Sequence, residues 1–456
     1  MVAPPLLREV TRLIRSFALS ALTLLLGGCG DSARHPEPET LVLRGFYVVD
    51  PQARSVSEAD LLIERGVVVG QATASRQRVI EGKGRYLMPA LWDLKASLWG
   101  NGCLLDWDQL SQEISFTHSL GVQLYYGVAH VGVFAMPREW VGRYLRRAEA
   151  LEMTAAESLY PDAVLCGASS FACTAVTGDG EVRQVLDARK RDHAPFVFIS
   201  YLDSKEKEEP TRGVTRAVLA TAVREAHLRG LASIVLVDDW QRVREAAELG
   251  ANVIYGFPAN PVTDDVATAL LEHGAVFAPA LTLFLEADRL LGSVAARRDP
   301  FLVPTVSAPL LASFESERGT DASGRLLLAQ GRARKQAMLD SVRKLSERGV
   351  KMVVASDAGW APGSFQGAGS HAAQAWLERA HVDGWSRLAA ATVTPAKVFG
   401  RRVGFEPGDA ADFLALDANP LESAANLRRI ELVIRQGRVV DRASLVPDLE
   451  RGNYRR

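Results

Sequence analysis

Between residues 194 and 398 the chain alternates short apolar runs with helical stretches, and this alternation constrains the fold more than any other feature. APFVFIS (194–200) precedes a stretch near 214–229 whose apolar residues recur at helical spacing and which closes on Gly230. ASIVLV (232–237) is followed by WQRVREAAELG (240–250), and ANVIYG (251–256) by a helix expected near 263–273. AVFAPALTLF (275–284) leads into a long charged section that reads as helical to about residue 348. VKMVVASD (350–357) comes next, then helices near 369–381 and 385–398. Apolar strands that alternate with helices make a parallel sheet buried on both faces. The number of units favours a closed (β/α)8 TIM-type barrel, its first strand ALWDLKA and its last MVVASD, with chemistry at the C-terminal strand ends.

The two ends of the chain read differently. TLVLRGFYVVDP, DLLIERGVVVG and RVIEGKGRYLMP are short strands separated by Gly and Asp-Pro turns. ADFLALD (411–417) and IELVIRQGRVV (430–440) return to that style. Residues 41–88 and 400–445 are therefore expected to build one composite β-sandwich domain beside a barrel of residues 89–399.

Ahead of these, Arg8, Arg12 and Arg15 precede FALSALTLLL (17–26), too short to span a bilayer comfortably, and the run ends in LGGC (26–29). That ending resembles a bacterial lipobox. The resemblance implies removal of residues 1–28 as a signal peptide and lipidation of Cys29, with residues 29–40 as a polar tether. Gly30 after Cys29 leans the expected location toward the outer membrane, facing the periplasm. The alternative is an uncleaved anchor helix. In an oxidising compartment Cys166 and Cys173 could pair across a short loop or remain buried small hydrophobes; the spacing is no zinc motif, because no second pair follows. A formal net charge of −1 gives no support for nucleic acid as a partner.

The stretch RYLMPALWDLKASLWG (85–100) sets Asp93, Lys95 and Ser97 in one strand register, so Lys95 and Ser97 share a face. GKGRYLMPALWD (82–93), SDAG (356–359), ATVTPAKVFG (391–400) and above all VGFEPGDAADFLALDANPLE (403–422) carry a resemblance. From about residue 40 to 441 the chain resembles the amidohydrolase superfamily, its imidazolonepropionase-like and prolidase-like branch.

That family resemblance implies hydrolysis of carbon–nitrogen bonds by zinc or a like ion. The ion would be held by His-x-His on the first strand, a lysine or glutamate on a middle strand, two further histidines and a final aspartate. Here Lys95 and Ser97 stand at the His-x-His positions, Phe198 at the lysine position and Leu236 at the next histidine position. Tyr255 or Gly256 stands at the following one, and only Asp357 matches. No cofactor is therefore expected. Lys95 is expected to supply the metal's charge and pair with Asp357, with Ser97, Tyr255 and His371 as ligand-facing groups.

His130 and His371 are the histidines expected nearest the mouth, and no pair has metal-site spacing. Asp239 reads as a helix N-cap, and DSKEKEEP (203–210) as a solvated loop. Two readings stand: a non-catalytic or metal-independent binding or accessory protein for a small-molecule ligand, or an active hydrolase of amide or dipeptide C–N bonds. The family resemblance also implies a homo-oligomer, although no heptad or apolar stripe supports one.

Overall fold

The structure, a computed structural model, describes residues 40–70, 78–98, 100–103, 116–134, 155–160, 164–168, 173–202, 213–256, 258, 260–318, 320 and 322–446. The expected signal peptide, Cys29, most of the tether and the charged loop at 203–210 lie outside the described residues.

Five strands open the fold: β1 (Leu41–Asp50), β2 (Ser55–Glu64), β3 (Val67–Gly70), β4 (Arg78–Glu81) and β5 (Tyr86–Pro89). The parallel strands follow: β6 (Leu91–Ala96), β7 (Val128–Val133), β8 (Glu157–Leu159), β9 (Val164–Cys166), β10 (Cys173–Ala175), β11 (Phe196–Ser200), β12 (Ala232–Val237), β13 (Val253–Gly256) and β14 (Val276–Pro279). The chain returns with β15 (Phe413–Leu416), β16 (Ile430–Arg435) and β17 (Arg438–Val439).

Strands from the two ends join in one mixed sheet, ordered β17-β16-β15-β5-β1-β2-β3, with β4 paired to β1. The seam is β15 against β5, antiparallel, with Leu414 opposite Met88. The expectation was a sandwich, and the hydrogen bonding shows how one sheet supplies its interior. Its β3 edge bonds to the segment just ahead of β15, Val68 N–H donating to Asp409 O at 2.9 Å and Ala411 N–H to Gly66 O at 2.9 Å. The sheet thus curls back on itself. Leu43, Phe46, Ile63, Val68, Leu87, Phe413 and Ile434 pack inside as a core of their own.

The parallel strands form two hydrogen-bonded sets, β6-β7-β8 and β10-β9-β11-β12-β13-β14. Alternating helices cover them, among them Arg216–Leu228, Trp240–Glu248 and Asp264–Glu272. Thr215 and Asp239 cap the first two of these, and Asp239 accepts from Arg242 N at 2.7 Å, as its position predicts. Burial on both faces explains the unbroken apolar runs: Phe196, Ile199, Val235 and Ile254 are fully enclosed.

The expected last strand, 352–357, makes an isolated bridge and no regular strand. It is nonetheless bonded on both flanks. Val353 N–H donates to Phe277 O at 3.0 Å on the β14 side, and Leu94 N–H to Val354 O at 2.9 Å on the β6 side. Its ladder is interrupted because Val354 N–H goes to Ala390 O and Trp92 N–H to Ala391 O, carbonyls at the end of the helix Gly384–Ala390. First and last strand segments are therefore neighbours, which places Lys95 beside Asp357.

Candidate functional site

Lys95 sits near the end of β6, and Asp357 follows the last parallel segment across the shared bonds Asp357 N–H to Lys95 O (2.8 Å) and Ser97 N–H to Ala358 O (2.8 Å). Both side chains are buried. The Lys95 ammonium donates to Asp357 Oδ1 as a close ion pair. Tyr255, at the same level on β13, donates its hydroxyl to the other oxygen, Asp357 Oδ2, at 2.5 Å. One carboxylate is thus divided between an ammonium and a phenol.

Aromatic rings close the site around the cation. Lys95 Nζ lies 3.9 Å from the ring centre of Phe134 and 4.6 Å from that of Tyr255. Ring faces are attractive to a desolvated cation. Phe198 meets Phe134 edge to face at 5.1 Å, and Trp360 meets it at 6.2 Å while keeping 43% of its surface exposed. The Tyr255 phenol has its pKa raised well above its ordinary value by burial and then by the charge of Asp357, so it stays a donor. Asp357 adopts φ 54°, a left-handed conformation that aspartate tolerates better than most residues.

A second carboxylate underpins the first. Asp93, fully buried on β6, accepts from Lys95 N–H at 3.2 Å and Ser356 N–H at 2.9 Å through Oδ1. Through Oδ2 it accepts from Ser370 Oγ at 2.8 Å and from the Ser356 hydroxyl. Burial raises its pKa despite these donors. Asp93 therefore fixes the backbone on both sides of the Lys95–Asp357 pair. It is a positioning residue, in the same strand register as Lys95 and Ser97. The signal was three polar residues at 93, 95 and 97 in an otherwise apolar strand.

The remaining expected residues scatter. Ser97 is buried and donates to Phe134 O at 3.3 Å, which ties the end of β6 to the ring that covers Lys95. His371 does not face the pair. Ser370 turns toward Asp93, and the next residue on a helix points about 100° away. His371 Nε2 accordingly donates to Tyr126 O at 2.8 Å, its ring against Phe301. Burial pushes its pKa down to about 4, so the ring is neutral.

His130 also departs from expectation. Register pairs it with Trp92, at the opposite end of β6 from the mouth, and its ring stacks on Trp92 at 4.0 Å. Its Nδ1 faces Glu157 Oε2 at 2.9 Å, and its Nε2 faces Asp412 Oδ2 at 3.1 Å. It is a junction residue between the parallel layer and the mixed sheet. Cys166 and Cys173 form a disulfide with Cα atoms 5.7 Å apart, which resolves the alternative left open by their spacing.

The model of the amidohydrolase family matches residues 207–440, just over half of the chain. The chain belongs to the amidohydrolase family. Solved structures show the same fold. A Xaa-Pro dipeptidase with bound methionine superposes with TM-score 0.67 at 16% identity, covering 88% of this chain and 99% of its own. Molinate hydrolase superposes with TM-score 0.69 at 16% identity, covering 91% and 97%. Ochratoxinase of A. niger gives TM-score 0.66 at 14% identity, covering 88% and 96%. No curated protein matches the chain in sequence.

Among the described residues, the groups around Asp357 do not fit a divalent ion of the kind that the family resemblance implies. Such an ion needs several imidazoles and carboxylates converging on one point. The point beside Asp357 is filled by the Lys95 ammonium, and Phe198, Leu236 and Tyr255 stand on β11, β12 and β13. Among the described residues no three His, Cys, Asp or Glu side chains could hold a metal ion together.

Proposed function

We propose that this chain is an exported, lipid-anchored amidohydrolase-family protein that binds a small molecule at its barrel mouth without a resident metal, Lys95 supplying the positive charge. The observation that carries this reading is the buried ion pair of Lys95 with Asp357, completed by the Tyr255 phenol. The parallel strands are read as a closed (β/α)8 ring. Shared hydrogen bonds between β6, residues 351–358 and β14 support that reading, as does the fold of the solved relatives.

The chemistry of such a site is recognition. Of its three N–H bonds the ammonium gives one to a carboxylate oxygen and turns the others toward ring faces, weaker partners that a ligand oxygen can replace, while Trp360 and Phe134 offer apolar area. The names of the solved relatives, a dipeptidase and molinate hydrolase among them, suggest a ligand with an amide or related carbonyl group. The deciding test is the metal content of the purified protein by elemental mass spectrometry, with and without added zinc, alongside hydrolysis assays on amides and dipeptides. The expected result is no stoichiometric metal and no turnover. Near-stoichiometric metal that Asp357→Ala removes would overturn the reading and establish a hydrolase instead.

A further inference from the structure

Along the helix Ala368–Arg379, the residues Ala368, His371, Ala372, Ala375 and Arg379 recur at the spacing that puts side chains on one face. The three alanines leave room that larger side chains would fill. That room is a cleft of about 260 Å³ between this helix, the helix Leu281–Leu291, the segment 299–302 and the turn Ala424–Arg428. Phe301, Leu302 and Phe365 add apolar wall. The carboxylates around it are matched within the wall: Glu286 with Arg289 at 2.8 Å, Asp299 with Arg428 at 2.5 Å, and Glu378 with Arg387 at 2.9 Å. Arg379 lays its guanidinium over the Trp376 ring, 4.4 Å from its centre. The lining therefore favours a ligand without charge.

His371 is the group the wall leaves unmatched. It lines the cleft and is only 4% exposed. Its Nε2 meets the Tyr126 carbonyl, which can only accept, so that nitrogen carries the ring hydrogen. In the neutral ring Nδ1 is then an acceptor. This Nδ1 is buried and has no hydrogen-bond partner among the described residues. The ring does not escape by taking a second proton, because burial and the charges of Arg428 and Arg442 oppose an imidazolium. A buried acceptor left unpaired is costly, and a donor is what relieves it. A lone water answers poorly, since it needs several polar partners and the apolar wall offers none. The Phe301 ring meets the His371 ring edge to face at 5.0 Å, so an aromatic body beside Nδ1 continues a contact already present.

We propose that this cleft is a binding site for a small neutral aromatic molecule with one hydroxyl donor, of the phenol class, which donates to His371 Nδ1. It is separate from the Lys95–Asp357 mouth and does not depend on the function proposed there. The test follows para-fluorophenol and para-fluorotoluene by fluorine NMR with the purified protein; the two probes match in size, and only the first carries a donor. Para-fluorophenol is expected to bind saturably and about tenfold tighter than para-fluorotoluene. Ala372→Leu, which fills the cleft from a half-buried helical position, is expected to abolish binding of both. His371→Phe is expected to remove the preference for the phenol. Circular dichroism and thermal unfolding check both variants. His371→Phe also loses the bond to Tyr126, so if it does not fold, Ala372→Leu and the two probes on the native chain carry the test. The proposal fails if para-fluorophenol does not saturate, or if para-fluorotoluene binds as well. It fails too if folded Ala372→Leu binds para-fluorophenol like the native chain, which would put the phenol elsewhere, the Lys95 mouth included.

Discussion

At the residue scale the site turns on a single buried pair, Lys95 and Asp357. Breaking one partner of such a pair leaves an uncompensated charge and costs about 3–5 kcal/mol, whereas removing both charges is often close to neutral. Lys95→Met strands Asp357, fully buried, with the Tyr255 hydroxyl as the side-chain donor left to it among the described residues. Its urea midpoint is expected to fall by that order. Asparagine tolerates the left-handed φ of position 357, so K95M/D357N is expected to recover most of the loss. A double variant no more stable than K95M would show that the pair does not couple. Tyr255→Phe removes one bond to a charged acceptor and is expected to cost about 1.5–3 kcal/mol in the same assay.

At the element scale the junction between the parallel layer and the mixed sheet carries the pH dependence. Burial alone would raise the Glu157 carboxyl, but hydrogen bonds from His130 and Arg401 outweigh it and hold the pKa at about 2, below its ordinary 4.5. Asp412 is lowered too, burial again being outweighed by His130 and Arg435. A depressed carboxylate stabilises the fold above its unfolded pKa, and that contribution is lost as pH falls through the folded value. Stability is therefore expected to drop between about pH 4.5 and pH 2, and E157Q to flatten that slope in urea unfolding at stepped pH. An unchanged slope would remove Glu157 from the account.

None of this junction was legible in the sequence, because His130, Glu157, Arg401, Asp412 and Arg435 come from five separated positions and no spacing rule joins them. What was legible had local periodicity behind it. The apolar runs became β11 to β14, the Asp239 cap formed, and the seam of the two chain ends followed from their shared strand character. Lys95 and Asp357 could be put together because the expected barrel would make the first and last strands neighbours, and the bonds between β6 and residues 354–358 do so. His371 could not be placed, since its direction depends on the helical phase set by Ser370 against Asp93.

At the scale of the whole molecule, the proposed attachment to a membrane rests on residues outside the described part. No helix among the described residues is long and apolar enough to cross a bilayer. The candidate is the N-terminal run that ends in Cys29, and one lipid-bearing cysteine anchors a chain without a span. The native protein is expected in the membrane pellet after a high-salt wash, and Cys29→Ala in the soluble fraction. A Cys29→Ala protein that stays in the pellet would point to residues 17–26 as an uncleaved anchor. Export also predicts the state of the cysteines. The Cys166–Cys173 bridge belongs to an oxidising compartment. A chain made without residues 1–29 in a reducing cytosol is expected to titrate Cys103, Cys166 and Cys173 in denaturant, while the exported chain titrates Cys103 alone. Equal thiol counts in the two preparations would separate the disulfide from export and leave the anchor to stand on fractionation alone.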